Sequence, residues 1–164
     1  MPLKNKIIIT ANSSWNIYNF RKGIVTELID NGFDVVVVSP KDKYVDTLIE
    51  LGCKYININI SNRGINPLKD LYLIFQYLKI FKQVKPDVIL TYTVKPNIYG
   101  SIAATVFSIP FVNNISGLGT AFIKGGTLEK IVSFLYKVSL RGSRLVFFQN
   151  NDDKKLFLRK KLVN

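Results

Sequence analysis

The stretch "KIIITANSSWNIYNFRKGIVTELIDNGFDVVVVSP", Lys6 to Pro40, decides the fold. Its first five residues, Lys6–Thr10, form a continuous apolar run, the pattern of a strand covered on both faces. "ANSSWN" follows as a polar loop with several residues fit to cap a helix. From there Ile17, Phe20, Ile24 and Leu28 recur at helical spacing, and Asn31-Gly32 closes the helix. "DVVVVSP" is a second apolar run, cut by Pro40. Strand, helix and buried strand make one parallel unit, because parallel neighbours need a crossover.

The alternation continues along the chain. "KYVDTLIELG" reads as a short helix and "KYININI" (54–60) as a strand nearer an edge. "SNRGINP" is a loop before an apolar helix from Leu68 to about Val84, with Pro86 beyond it. "DVILT" (Asp87–Thr91) is the fourth strand, and "NIYGSIAATVFSIP" is a helix stopped by Pro110. "FVNNIS" is the fifth strand, and "GLGTAFIKGG" is a glycine-rich loop. A helix spans Thr127 to Gly142, "RLVFFQ" is the sixth strand, and "NNDDKKLFLRKKLV" begins a last helix. This predicts an α/β chain with a doubly wound, mostly parallel, Rossmann-like sheet in the order 3-2-1-4-5-6. The strand order then reverses between strands one and four, and ligands bind outside the carboxyl ends of the strands there. "ANSSWN" and "TYTVKPN" meet at that crevice, with "SGLGTAF" beside them.

Composition narrows the chemistry. The 164 residues suffice for one core, and 48% hydrophobic with 21% charged residues is a globular balance. Lys+Arg 23 against Asp+Glu 11 gives +12, which points to an anionic partner, although a chain rich in Ile, Lys and Asn gains lysine by composition alone. The cations are scattered, without the aromatic-basic pattern of a nucleic-acid module, so nucleic acid is not an expected partner. There is no histidine, which removes any histidine-based metal site, triad or general base. The single cysteine, Cys53, cannot form an internal disulfide and reads as a small buried residue. No window has the uncharged length of a spanning helix, and the N-terminus lacks a signal-peptide core.

The loops carry neither a dinucleotide fingerprint nor a Walker loop, and the second strand ends Ser39-Pro40 rather than in an acid. No cofactor, metal or catalytic residue is expected. Glu27, Asp30, Asp46, Glu50, Asp70 and Glu129 fall on helices, where solvated faces are the plain explanation. Ser13, Ser14 and Ser116 have no histidine partner, and capping accounts for each. What the crevice loops offer is donors: Lys95 a charge; Asn12, Asn97 and Asn114 amides; Ser13, Ser14, Thr91, Thr93, Ser116 and Thr120 hydroxyls. Gly117 and Gly119 let backbone N–H groups approach a ligand. Trp15 and Tyr92 have rings that could stack on a sugar. The set fits a polyhydroxylated, phosphate-bearing ligand that is bound and positioned rather than attacked.

Four stretches carry a family resemblance: "SSWNIYNFRKGIVTELIDNGFDVVVVSP", "VILTYTVKPNIYGSIAA", "FVNNISGLGTAF" and "VFFQNNDDKKLF". Together they span nearly the whole chain. It resembles the N-terminal half of bacterial family 4 glycosyltransferases of the retaining GT-B type. The nearest likeness is to enzymes that add N-acetylhexosamines to polyprenyl-diphosphate-linked sugars of capsule, O-antigen or glycoprotein glycans. The resemblance implies that residues 1–164 form an acceptor-binding domain and that the C-terminal donor-binding domain, with its diphosphate-binding residues, is absent. It implies acceptor contacts at Asn12, Ser13, Trp15, Tyr92, Lys95, Asn97, Ser116, Gly117, Gly119 and Thr120. Many members carry histidines where this chain has Tyr92 and Ser116, which leaves this half with no expected catalytic group.

The implied partners are a nucleotide-sugar donor held by a missing domain or partner subunit, and a lipid-linked glycan acceptor. The implied location is cytoplasmic, peripheral on the inner membrane. A chain of this kind alone should be inactive. Two other readings share the architecture: half of a sugar-nucleotide 2-epimerase, which would want acids and histidines in this half, and a non-catalytic subunit that recruits a donor-binding partner.

An anionic membrane surface is a further candidate partner. Leu71, Ile74, Phe75, Leu78 and Phe81 form the stripe expected to pack on the sheet, ringed by Lys69, Lys79, Lys82 and Lys85. Tyr72, Leu73, Tyr77 and, on the later helix, Tyr136 broaden the apolar surface toward solvent. Basic residues beside exposed aromatics suit an interfacial helix.

Overall fold

The computed structural model describes residues 5–61, 64, 66–117, 122 and 125–163. Six strands form one sheet in the order β3-β2-β1-β4-β5-β6, every neighbouring pair parallel. They are β1 (Lys6–Thr10), β2 (Asp34–Ser39), β3 (Lys54–Asn57), β4 (Val88–Tyr92), β5 (Phe111–Ile115) and β6 (Leu145–Phe148). The predicted order is the observed one. β3 is shorter than the alternating run suggested and stops at Asn57; Ile58 still reaches back, its N–H donating to the Ser39 carbonyl at 3.3 Å.

The helices are α1 (Ser14–Asp30), α2 (Val45–Glu50), α3 (Pro67–Val84), α4 (Ser101–Val106), α5 (Gly126–Ser139) and α6 (Asn151–Arg159). A widened π-type turn, Pro96–Gly100, leads into α4. Side-chain caps set several starts. The Ser13 Oγ accepts from the Asn16 N–H, Asn66 Oδ1 from the Lys69 N–H, and Asn150 Oδ1 from the Asp153 N–H. Helix α3 begins with Pro67, whose missing N–H costs nothing there, and ends at Lys85 in the left-handed region.

Alternation along the strands splits the interior in two. Ile7, Ile9, Val35 and Val37 pack with Ile17, Val25, Leu48 and Tyr92 under α1 and α2. Ile8, Val36, Val38, Ile89, Phe111 and Ile115 pack with Tyr77, Phe81, Tyr136 and Phe157 under α3 to α6. The chain therefore leaves β1 for one face of the sheet and β4 for the other, and a crevice opens between them at their carboxyl ends.

Three sequence expectations about helix faces are corrected. On α1 the buried apolar and charged positions are Ile17, Arg21 and Val25, while Phe20 and Ile24 face outward. On α3 the buried set is Asp70, Leu73, Tyr77, Ile80 and Phe81; Leu71 and Phe75 are exposed. Tyr77 is held by a 2.8 Å hydrogen bond between its hydroxyl and Thr10 Oγ1, and Tyr136 is fully buried rather than widening an outer face. These helices are apolar around most of their circumference, so periodicity left the phase open. On α3 the hydrogen bond between the Tyr77 and Thr10 hydroxyls helps to set it.

Candidate functional site

The loops after β1 and β4 are tied together across the crevice. The Asn12 N–H donates to Thr93 Oγ1 at 3.1 Å, and the Asn97 N–H donates to the Thr93 carbonyl at 3.0 Å. Thr93 sits at φ 68, a left-handed conformation that a β-branched residue adopts only when its surroundings hold it there. Its two partners do so, and strain of this kind concentrates at ligand sites.

Beneath Thr93 lies a buried amide network. Asn97 is 1% exposed. Its Oδ1 accepts from Thr91 Oγ1 at 2.6 Å and from Asn113 Nδ2 at 3.2 Å, and its Nδ2 donates to the Asn114 carbonyl at 2.9 Å. Asn113 Nδ2 also reaches Thr91 Oγ1 and Ser101 Oγ. This network fixes the π-type turn against β4 and β5, so the Asn97 side chain braces the loop from inside.

Lys95 is held in an ion pair with the start of α3. Its Nζ lies 2.6 Å from Asp70 Oδ1, with both side chains largely buried, 14% and 6% exposed. Asp70 Oδ2 also accepts the Asn66 N–H at 3.1 Å. Burial first, and then the Asp70 charge and a hydrogen bond to it, push the Tyr99 phenol up. Asp70 is therefore the hub that joins the start of α3 to the β4 loop, not a solvated helix residue.

The remaining expected residues separate cleanly. Ser13 caps α1, and the Ser14 hydroxyl is buried 2.8 Å from that of Ser39. Trp15 is half exposed, its ring perpendicular to that of Phe20 with centroids 5.3 Å apart. Tyr92 is buried, and its ring carries the Arg21 guanidinium 4.5 Å from its centroid, the place where a sugar was expected. Ser116 and Gly117 are half-buried at the rim after β5. Ser116 Oγ accepts from Arg21 Nη2 at 3.2 Å and donates to Asn114 Oδ1 at 3.3 Å. Gly117 has φ 145. Gly119 and Thr120 lie outside the described residues.

Trp15 lies in the first turn of α1 with its N–H on Asp42 Oδ2 at 2.9 Å. Asn12 sits beside the β4 loop at the crevice and Ser116 and Gly117 at its β5 rim, joined by Arg21, which the sequence reading passed over. Its signal was present: Arg21 stands midway between Ile17 and Val25 on one helical face, where a core residue belongs. Away from the crevice, a hollow of about 760 Å³ follows β6 and α6 and is lined by Lys137, Arg141, Arg144, Lys154 and Lys161 among apolar side chains.

Comparison with known proteins gives this geometry a setting. A family model described as glycosyl transferase 4-like matches residues 6–150. A Campylobacter jejuni protein named N,N'-diacetylbacillosaminyl-diphospho-undecaprenol alpha-1,3-N-acetylgalactosaminyltransferase is 31% identical over 153 residues, 90% of this chain and 41% of that protein. The chain therefore spans less than half the length of this relative. Among solved structures, Acinetobacter baumannii MurG superposes with TM-score 0.61 at 15% identity, covering 92% of this chain and 42% of that one. The UDP-GlcNAc 2-epimerase of Neisseria meningitidis gives TM-score 0.64 at 17% identity, covering 95% and 44%. At such identities these two structures establish a shared fold, and the fold alone serves both transfer and epimerisation.

Proposed function

The chain belongs to the glycosyl transferase 4-like family, and on that premise we propose that it forms the acceptor-binding side of a glycosyltransferase. The enzyme would move a sugar from a nucleotide-sugar donor to a lipid-diphosphate-linked glycan. The observation that carries this reading is the 31% identity, over 90% of the chain, with a transferase whose name specifies a diphospho-undecaprenol acceptor. That identity, rather than the fold, favours transfer over epimerisation.

The crevice supports a positioning role. Transfer requires that an acceptor hydroxyl be held in line with the sugar carbon, which removes much of the entropic barrier. Asn12, Ser116 and the Gly117 backbone offer hydrogen bonds at the rim, and the half-exposed ring of Trp15 suits a sugar ring. Charge developing on the leaving diphosphate needs donors aimed at it from a closed cleft. We assign those donors to a donor-binding domain or subunit outside these 164 residues.

A lipid-linked acceptor also gives a use to the outer face of α3. Leu68, Leu71, Tyr72 and Phe75 are all exposed and lie on one helical stripe, with Lys69 and Lys79 exposed beside them. Among the described residues no helix is long and apolar enough to cross a membrane. The stripe therefore suits contact with an anionic lipid surface from one side.

The test is a radiolabelled nucleotide-sugar assay with a polyprenyl-diphosphate-linked acceptor, run with the chain alone and with a matching donor domain in trans. Transfer only in the combined reaction is expected. Turnover by the chain alone would contradict the division of labour.

A further inference from the structure

Arg21 is a buried cation with no anionic partner among the described residues. It is 8% exposed. All eleven carboxylate side chains of the protein are among the described residues, and the ion pairs between described residues are Lys54–Asp34, Lys95–Asp70 and Lys160–Glu129. Of its five N–H donors, one on Nη1 meets the Phe20 carbonyl at 2.8 Å and one on Nη2 meets Ser116 Oγ at 3.2 Å. The buried Nε–H has no partner among the described residues. Burial pulls the guanidinium below its ordinary value, and the Tyr92 ring beneath it acts weakly the other way.

Burying a charge this way is unfavourable unless something compensates it, and a cation–π contact compensates only in part. The side chain runs from α1 across the Tyr92 ring, so its Nη2 end arrives at the crevice rim where Ser116 and Gly117 are half-buried. A methyl group placed on Gly117 would meet no atom of the described residues within 4 Å.

We infer that Arg21, with Ser116 and the Gly117 backbone, forms an oxyanion site that takes a phosphate of the ligand entering the crevice. This deepens the proposed function and rests on it for the source of the phosphate. The planar guanidinium can present two parallel N–H groups to phosphate oxygens, which a lysine cannot. The phosphate belongs to the acceptor's isoprenyl diphosphate if the chain is the acceptor side, and to the nucleotide if it is not.

The experiment is an NMR titration of the ¹⁵N-labelled 164-residue chain with inorganic pyrophosphate, geranyl diphosphate and UDP, following the Arg21 Nε–H and the Ser116 and Gly117 amides. We expect saturable shifts at these three groups, with geranyl diphosphate binding more tightly than UDP. Affinity should fall at least tenfold in Arg21→Gln and less in Arg21→Lys, and stay within twofold in Lys54→Ala. Arg21→Met should have an unchanged or higher Tm, because it removes an uncompensated buried charge and keeps the stem on Tyr92. Shifts confined to the lysines of α3 or the β6 edge, or equal affinity in Arg21→Gln, would overturn the site. If the Arg21 variants fail to fold, the wild-type shifts decide alone. Phosphate binding needs no sugar transfer. Binding at Arg21 without transfer by the reassembled enzyme removes the transferase reading only, and transfer indifferent to Arg21→Gln removes this site only.

Discussion

Replacing Lys95 with alanine should destabilise the chain by about 2–3 kcal/mol. Breaking one end of a fully buried ion pair costs about 3–5 kcal/mol, because the other charge is stranded. Asp70, with its side chain 6% exposed, would be stranded here. It would keep the Asn66 N–H at 3.1 Å and its place in the first turn of α3, where the helix dipole favours an anion by about 0.3–1 kcal/mol. With that retained hydrogen bond worth about 1 kcal/mol, the middle of these ranges leaves the figure given. For a domain of this size it lowers Tm by roughly 5–10 °C. Urea denaturation followed by circular dichroism measures it directly. Asp70→Asn added to Lys95→Ala should recover part of the loss, with a coupling of about 1 kcal/mol or more between the two sites. A single mutant within about 0.5 kcal/mol of wild type, with additive effects in the double mutant, would return Lys95 to the surface and refute the hub described at Asp70.

Other perturbations test separate parts of the molecule. Asn97→Ala should cost about 1–3 kcal/mol, since it strips partners from Thr91 and Asn113 in the buried network, and chemical denaturation would show it. Burial pushes the Cys53 thiol up to about 11, so a thiol reagent at pH 8 should label the native chain on the order of a hundredfold more slowly than the unfolded one. Because that folded value lies above the unfolded one, the neutral thiol's contribution to stability is complete below about pH 8.5 and is lost as pH rises toward 11. The chain should bind anionic vesicles in a salt-dependent way, since the attraction is screened over about 10 Å at 0.1 M, and Phe75→Ser should weaken it. Equal binding to neutral vesicles would remove the electrostatic part of that account.

The sheet was legible because its strands announce themselves twice over. "KIIIT" and "DVVVVS" are apolar without interruption, and glycine or proline marks the ends of several elements, so order and direction follow from crossover rules. The crevice was placed by that topology. Helix phase was less legible. On α3 apolar residues occupy nearly every side, and burial was decided by Tyr77 reaching Thr10 and Asp70 reaching Lys95, contacts 67 and 25 residues apart in sequence. The pairing with Asp70 makes Lys95 a brace, and contacts with Thr91, Asn113 and Asn114 do the same for Asn97. Arg21 was missed for a related reason. Taken alone, an arginine on an amphipathic helix belongs outside, and only the burial of Ile17 and Val25 on the same stripe puts it inside.

The central claim, that this chain recognises the acceptor rather than the donor, is tested most directly by isothermal titration calorimetry of the 164-residue chain. The two ligands are a short isoprenyl-diphosphate-linked N-acetylhexosamine and a UDP-N-acetylhexosamine. The account predicts saturable binding of the lipid-linked sugar at least tenfold tighter than that of the nucleotide sugar. Tighter binding of the nucleotide sugar would contradict it and make this the donor side.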